Sequence, residues 1–302
     1  MIAYLPEQRN VLMTLARAAL TEIFRRDTNE MDYVFVPKEY RTTVTPPSAE
    51  LVADYVRSCG GNPADYRETL PFHLFPQWGF PALMHTLSDL PFGLVSIVNG
   101  GSTVKMGSSL RREPTLSVTA RLTAVDSTDR RVVITQQLIT TDSYGNAVEA
   151  EQVSIVRRSA GKKTADNPRT KEEVLIPEGA REVASFFAHE RSGLEYAFYS
   201  GDFNPLHWLH PYAQAIGFKR PILHGFAQLG RSYEGMRKNM FCGSIDPLSA
   251  MSIRFERPLY LPQACRVFLN EDNQYFLGSA PGAHAIARGK IERRDGMLAK
   301  ET

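Results

Sequence analysis

The sequence predicts an α+β protein made of two similar halves, each with an apolar helix followed by an antiparallel meander of strands. A polar stretch from Ser159 to Pro177 divides the 302 residues into halves of comparable length and has the composition of a linker. Both halves show the same order of signals, an apolar helical pattern and then runs rich in Val, Ile, Thr and Phe. Thr103–Val118 also matches Ser252–Val267 in pattern at a constant offset of 149 residues, with a turn breaker in the middle of each. We therefore expect a duplication in which each of these segments forms two paired strands.

The first half is expected to begin with an amphipathic helix near residues 8–26. Its main helix is predicted near residues 83–97, where five apolar residues follow a 4-3-4-3 spacing, although Pro91 must break or kink it. These five are Leu83, Leu87, Leu90, Leu94 and Ile97. Strands are predicted at residues 115–125, 131–141 and 147–157, with a hairpin turn at 143–145.

The second half repeats this layout after the linker. Helices are predicted at Arg181–His189, Ala213–Phe218 and Leu223–Met240, the last being the longest. Strands are expected near residues 250–257, 264–270, 274–280 and 283–293. A long helix followed by an antiparallel meander allows each sheet to wrap around its own helix.

Composition excludes several classes of protein. The 35 Lys and Arg are balanced by 33 Asp and Glu, so the net charge of +2 provides no general field for nucleic acid or a membrane surface. No run approaches the roughly 18 apolar residues of a membrane span. Three cysteines without C-x-x-C spacing argue against a disulfide framework or a zinc ribbon, and they favour a reducing, cytoplasmic location.

The residues most suited to catalysis or ligand binding lie in the segment from Tyr199 to Gly230. Asp202, Asn204 and His207 lie two and three residues apart in a segment ordered by glycine and proline. A carboxylate and an imidazole on one turn can contact a single water, one removing a proton while the other returns one. Two alternatives remain open: Gly-Asp-x-Asn-Pro is also ordinary turn chemistry, and His207 with His210 has the spacing of half a metal site, with Asp202 nearby.

Gly225 precedes the long apolar helix of the second half. Backbone N–H groups at a helix N-terminus have no partner within the helix, so they can polarise a carbonyl. A thioester C=O bound at Gly225 and Phe226 would be stabilised as an enolate. A glycine needed only for close helix packing would give the same sequence.

Two motifs resemble a known family. S-G-D-F-N-P-L-H at 200–207 followed by R-P-I-L-H-G-F at 220–226 is similar to the signature of MaoC-like (R)-specific enoyl-thioester hydratases/dehydratases, the hydratase 2 group. The resemblance implies a double hotdog fold: a degenerate hotdog at 1–160, a linker at 161–177 and a catalytic hotdog at 178–302. The segment 91–106 resembles the corresponding region of the degenerate hotdog, with Gly93 in place of Gly225. The stripe at residues 83–94, including Met84, is expected to contact the core or an acyl chain.

The resemblance also implies an activity and its residues. The expected reaction is reversible hydration of trans-2-enoyl thioesters to (R)-3-hydroxyacyl thioesters, with no metal or redox cofactor. Asp202 and His207 would be the acid/base pair, Asn204 would orient them, and the Gly225 N–H would hold the thioester carbonyl. The substrate would be carried by CoA or an acyl carrier protein, and the chain would be a monomer or homodimer. Candidate contacts for the carrier's phosphates are Lys219, Arg220, Arg254 and Arg257. The competing hypotheses are a hotdog thioesterase and a non-catalytic thioester-binding subunit.

Overall fold

The computed structural model describes residues 2–23, 35–91, 97–128, 131–157, 173–244 and 246–294. Within these ranges the helices are α1 Arg9–Ile23, α2 Ala49–Ser58, α3 Phe75–Thr86, α4 Ser192–Ser200, α5 His210–Ala215 and α6 Gly225–Met240. The strands of the first half are β1 Lys38–Val44, β2 Ile97–Met106, β3 Leu116–Ser127, β4 Arg131–Thr141 and β5 Ala147–Arg157. Those of the second half are β6 Arg181–Ala188, β7 Leu248–Phe255, β8 Gln263–Leu269, β9 Gln274–Gly278 and β10 Ala287–Arg293.

One antiparallel sheet of ten strands joins the two halves across the described residues. Its order is β1-β3-β4-β5-β2-β7-β10-β9-β8-β6. The five strands of each half are arranged in the same way, and the halves meet where β2 pairs with β7, from Gly101 opposite Arg254 to Lys105 opposite Ala250. This repeated order agrees with the predicted duplication.

A helix packs against the sheet in each half. α3 packs against β1, β3 and β4, and α6 packs against β6. The main core is continuous between the halves, since it includes Tyr55 and Leu138 of the first and Leu229 and Val267 of the second. No helix in the described ranges combines the length and apolar character needed to cross a membrane.

Most predicted strands are confirmed, because their alternating apolar residues point into the core. β4 matches its predicted bounds, and Val132, Ile134 and Leu138 alternate with more exposed neighbours. The prediction that Thr103–Val118 forms two paired strands is wrong. β2 lies between β5 and β7, whereas β3 lies between β1 and β4.

The helix predicted at 83–97 is wrong in position. α3 begins at Phe75 and ends at Thr86, before Pro91, and Ile97 starts β2. Prolines explain the error: α3 contains Pro76 at its start and Pro81 in its interior, a composition that weakens the sequence signal. Leu87, Leu90 and Met84 do pack in a second core cluster, while Leu94 and Gly93 lie outside the described residues.

The helix predicted at Arg181–His189 is also wrong, because the segment is the edge strand β6. It pairs with β8, and the register shifts between Glu182 and Ala184. Val183 and Ala184 consequently face the core together. The short run has residues typical of a helix, but pairing with a distant strand and burial against α6 outweigh local propensity.

A buried polar network fastens α6 to the first half. The side chain of Glu234 is fully buried and accepts hydrogen bonds from the Tyr66 hydroxyl at 2.5 Å and from Arg237 Nε at 3.0 Å. His73 Nε2 lies 3.2 Å from the same carboxylate, and Arg237 also donates to Asp65 at 2.7 Å. Burial acts to raise the pKa of Glu234, but the hydrogen bond and charge of His73, with Tyr66 and Arg237, hold it below the usual value.

Candidate active site

Asp202 is placed by the end of α4. The helix ends at Gly201, whose φ of 80° is a left-handed conformation that favours glycine, and the Gly201 N–H donates to Ala197 O at 2.8 Å. The chain then turns, and the Asp202 N–H donates to Ser200 Oγ at 3.2 Å. Asp202 Oδ1 accepts from the Asn204 N–H at 3.2 Å. The carboxylate is therefore held at the start of the turn and stays partly exposed.

His207 ends the short 3-10 turn Pro205–His207. Asn204 caps this turn, since its Oδ1 accepts from the Leu206 N–H at 3.1 Å. His207 Nδ1 lies 2.8 Å from Ile222 O. Because a carbonyl oxygen only accepts, Nδ1 carries the proton in the neutral ring, and Nε2 is left as a proton acceptor.

His224 is the third side chain of the cluster; it belongs to the second motif, where the resemblance matches it to a position that is often histidine and implies only a positional role. It is 2% exposed, and its Nε2 donates to the main-chain carbonyl of Asp202 at 3.0 Å. Its ring stacks on that of His207, with centroids 3.5 Å apart and planes 24° apart. Its own position is fixed by the loop before α6, where the Leu223 N–H donates to Leu259 O at 2.8 Å.

The three side chains form one compact cluster. An Asp202 carboxylate oxygen and one ring nitrogen each of His207 and His224 all lie within 4.8 Å of one another. Two hydrogen bonds of about 2.8 Å through a shared water span such a distance. Burial lowers the pKa of His207, against the opposing effect of Asp202, and burial and His207 lower the pKa of His224 well below its usual value. Both rings are therefore neutral near pH 7.

One carboxylate and two imidazoles are also typical metal ligands, but the geometry of this cluster is poorly suited to binding a metal ion. Imidazole binds metals in the plane of the ring, through a nitrogen lone pair. The rings of His207 and His224 are stacked, so their lone pairs lie side by side and do not converge on one point. The Nε2 of His224 is moreover engaged with Asp202 O. His210, the other histidine considered for a metal, is exposed at the start of α5.

Gly225 is the first residue of α6, so its N–H and that of Phe226 have no acceptor within the helix. A Cβ at Gly225 would lie 2.4 Å from Phe255 Cζ, which means that the phenyl ring occupies the space a side chain would need. Close packing against Phe255 therefore accounts for a glycine at this position. The N-terminus of α6 adjoins the cluster through His224, its N-cap residue.

The other predicted site residues differ in their surroundings. Asn204 contacts Asp202 through its backbone N–H, while its side chain caps the turn. Arg254 lies 3.5 Å from Glu256, and Arg257 donates to Glu173 at 2.9 Å, so both are engaged in ion pairs. Lys219 and Arg220 are exposed, and Arg220 lies over the Tyr260 ring at 5.8 Å.

Comparison with known proteins shows what the second half of the chain resembles. Residues 163–275 match the family model of the MaoC like domain. A stretch of 61 residues is 36% identical to peroxisomal multifunctional enzyme type 2 of Mus musculus, covering 20% of this chain and 8% of that protein. The match thus spans only a small part of that relative. The segment 163–275 is therefore similar to a MaoC like domain.

Solved structures show the same fold over nearly the whole chain. HtdX of Mycobacterium tuberculosis is 18% identical, with a TM-score of 0.66 over 84% of this chain and 100% of that chain. A conserved protein of Mycobacterium tuberculosis with a double hotdog fold is 10% identical, with a TM-score of 0.56 over 88% of this chain and 98% of that chain. The predicted α+β double hotdog is therefore confirmed.

Proposed function

We propose that this protein catalyses the reversible hydration of trans-2-enoyl thioesters to (R)-3-hydroxyacyl thioesters, with Asp202 and His207 as its acid/base pair. The observation that carries the proposal is the position of their side-chain oxygen and ring nitrogen, within 4.8 Å of each other beside the N-terminus of α6. The MaoC-like domain supports the reaction class. The motifs at 200–207 and 220–226 support the (R) configuration through their resemblance to hydratase 2.

The geometry suggests how water is activated. A water held between Asp202 and His207 loses a proton to one member of the pair as its oxygen bonds to the β-carbon. The electron pair of the double bond moves toward the thioester carbonyl, and the proton taken from the water is then passed from the pair to the α-carbon. One water is consumed and no free thiol is released. The neutral His207 ring suits this role, because Nε2 is free to exchange a proton while Nδ1 is fixed on Ile222 O.

The thioester carbonyl is expected to bind at the start of α6. The N–H groups of Gly225 and Phe226 can donate to the oxygen on which negative charge develops. The positive end of the α6 helix dipole lies at the same place and also stabilises that charge. Lys219 and Arg220 precede this loop and are exposed, so they are suited to the phosphates of the thiol carrier. We expect no metal or redox cofactor to take part.

The test is an absorbance assay with purified protein and short and medium trans-2-enoyl-CoAs. Hydration removes the conjugated double bond, so ultraviolet absorbance falls while free thiol, followed with a thiol reagent, stays constant. The reverse reaction with (R)- and (S)-3-hydroxyacyl-CoA tests the configuration, and only the (R) form should be dehydrated. Thiol release would establish a thioesterase instead. No reaction with CoA or carrier-protein thioesters would leave a binding subunit.

A further inference from the structure

His224 makes contacts with both members of the proposed acid/base pair. Its Nε2–H donates to the main-chain carbonyl of Asp202 at 3.0 Å, and its ring covers one face of the His207 ring at 3.5 Å. The ring of His224 also contacts that of Tyr196, with ring centroids 4.7 Å apart. The ring therefore contacts a buried tyrosine and both groups that would exchange protons.

The burial of His224 comes at a cost that packing alone does not explain. Its Nδ1 is buried and has no hydrogen-bond partner among the described residues, which is unfavourable for a polar atom. A phenyl ring, which is somewhat larger, carries no polar atom and so avoids that cost. The feature that a phenyl ring lacks is the Nε2–H, which reaches the carbonyl of Asp202.

We propose that His224 is a positioning residue for hydration, which orients Asp202 through its main chain and His207 through ring stacking. This proposal rests on the proposed function. Both members of the pair come from one short turn. His224 and the His207–Ile222 hydrogen bond tie the turn to the loop before α6, where the thioester carbonyl is expected to bind.

The contacts separate into two testable features, hydrogen bonding and stacking. His224→Gln keeps an N–H donor at similar reach but removes the ring. His224→Phe keeps the ring but removes the donor, and His224→Ala removes both. His284→Phe, on an exposed histidine, is the matched control.

The experiment measures kcat and KM for hydration of an enoyl-CoA, with urea unfolding to confirm that each variant is folded. We expect kcat to fall at least tenfold in His224→Phe and further in His224→Ala, with KM within about twofold and partial recovery in His224→Gln. When Asp202 is already replaced by Asn, adding His224→Phe should lower kcat little further, because His224 acts through the pair.

Each outcome decides the proposal. A folded His224→Ala protein with kcat within twofold of wild type would overturn the positioning role and leave the proposed function intact. A change in KM alone in the His224 variants would also overturn it. So would a decrease in kcat from His224→Phe that is as large in the Asp202→Asn protein as in the wild type. Absence of hydration by the wild-type protein would overturn the proposed function and the positioning role with it.

Discussion

Substitution of Glu234 by Gln tests the buried network that joins the two halves. The change preserves shape but removes the charge, and the amide can still accept from Tyr66 through its oxygen. Its NH₂ group then faces the Nε–H of Arg237, donor against donor, where the carboxylate oxygen had accepted at 3.0 Å. The Arg237 side chain is 2% exposed, so water cannot replace the lost bond.

The expected loss follows from these contacts. A hydrogen bond to a charged group contributes about 1.5–3 kcal/mol, and breaking a buried ion pair costs about 3–5 kcal/mol. Arg237 keeps Asp65 and Gly243 O as acceptors, which places the expected loss at about 3 kcal/mol, near the lower end of the second range. A domain with the usual ~5–15 kcal/mol remains folded after such a loss.

The assay is equilibrium urea unfolding at pH 7, with Glu182→Gln as control. Glu182 pairs with Arg266 at 3.2 Å, both side chains being about half exposed, so that variant should lose less than about 1 kcal/mol. The lowered pKa of Glu234 adds a second test. Its stabilisation is complete above its ordinary pKa and is lost as pH falls through the lowered value, so the two proteins should converge in acid. Equal losses in the Glu234 and Glu182 variants would refute the reasoning.

Three further predictions concern catalysis. Gly225→Ala should lower kcat at least tenfold, because the new Cβ would lie 2.4 Å from the Phe255 ring. Adding Phe255→Leu to that variant should restore part of the lost kcat. An unchanged kcat in Gly225→Ala would contradict the tight contact. The pH profile of kcat/KM should keep its plateau down to pH values below the ordinary His pKa of about 6.5, because burial lowers the pKa of His207 and keeps the ring neutral; a decline beginning above pH 7 would contradict this. Replacing Lys219 and Arg220 together by Ala should raise KM for CoA thioesters several-fold and weaken the dependence of KM on salt, with kcat nearly constant. An unchanged KM would exclude these two residues as phosphate contacts.

The sequence predicts strands and the long helix of the second half well, because their signals are local. β4 has apolar residues at alternate buried positions, Val132, Ile134 and Leu138, and α6 has no proline within its helical pattern, so both are recognised within a few residues. α3 and β6 were misassigned for opposite reasons. Prolines weaken the helical signal of α3, and the short run of β6 owes its structure to pairing with β8 and burial against α6. The pairing that makes β6 a strand cannot be read from neighbouring residues alone.

Sequence reasoning predicted the turn residues and, through the second motif, Gly225, but not the contacts that join these segments. Asp202 and His207 were predicted because they belong to one turn. The contacts of His224 arise when the chain returns after α5, and the partners of Glu234 lie in the other half of the molecule. Such meetings depend on topology, and no spacing rule indicates them.

The most direct test of the acid/base account is the turnover of Asp202→Asn in hydration of the best enoyl-CoA substrate. Asp272→Asn, at an exposed turn, is the matched control. Positioned proton transfer contributes about 10²–10⁴-fold, so kcat of the folded Asp202 variant should fall at least a hundredfold while the control matches wild type. A folded Asp202→Asn protein with kcat within threefold of wild type would contradict the account.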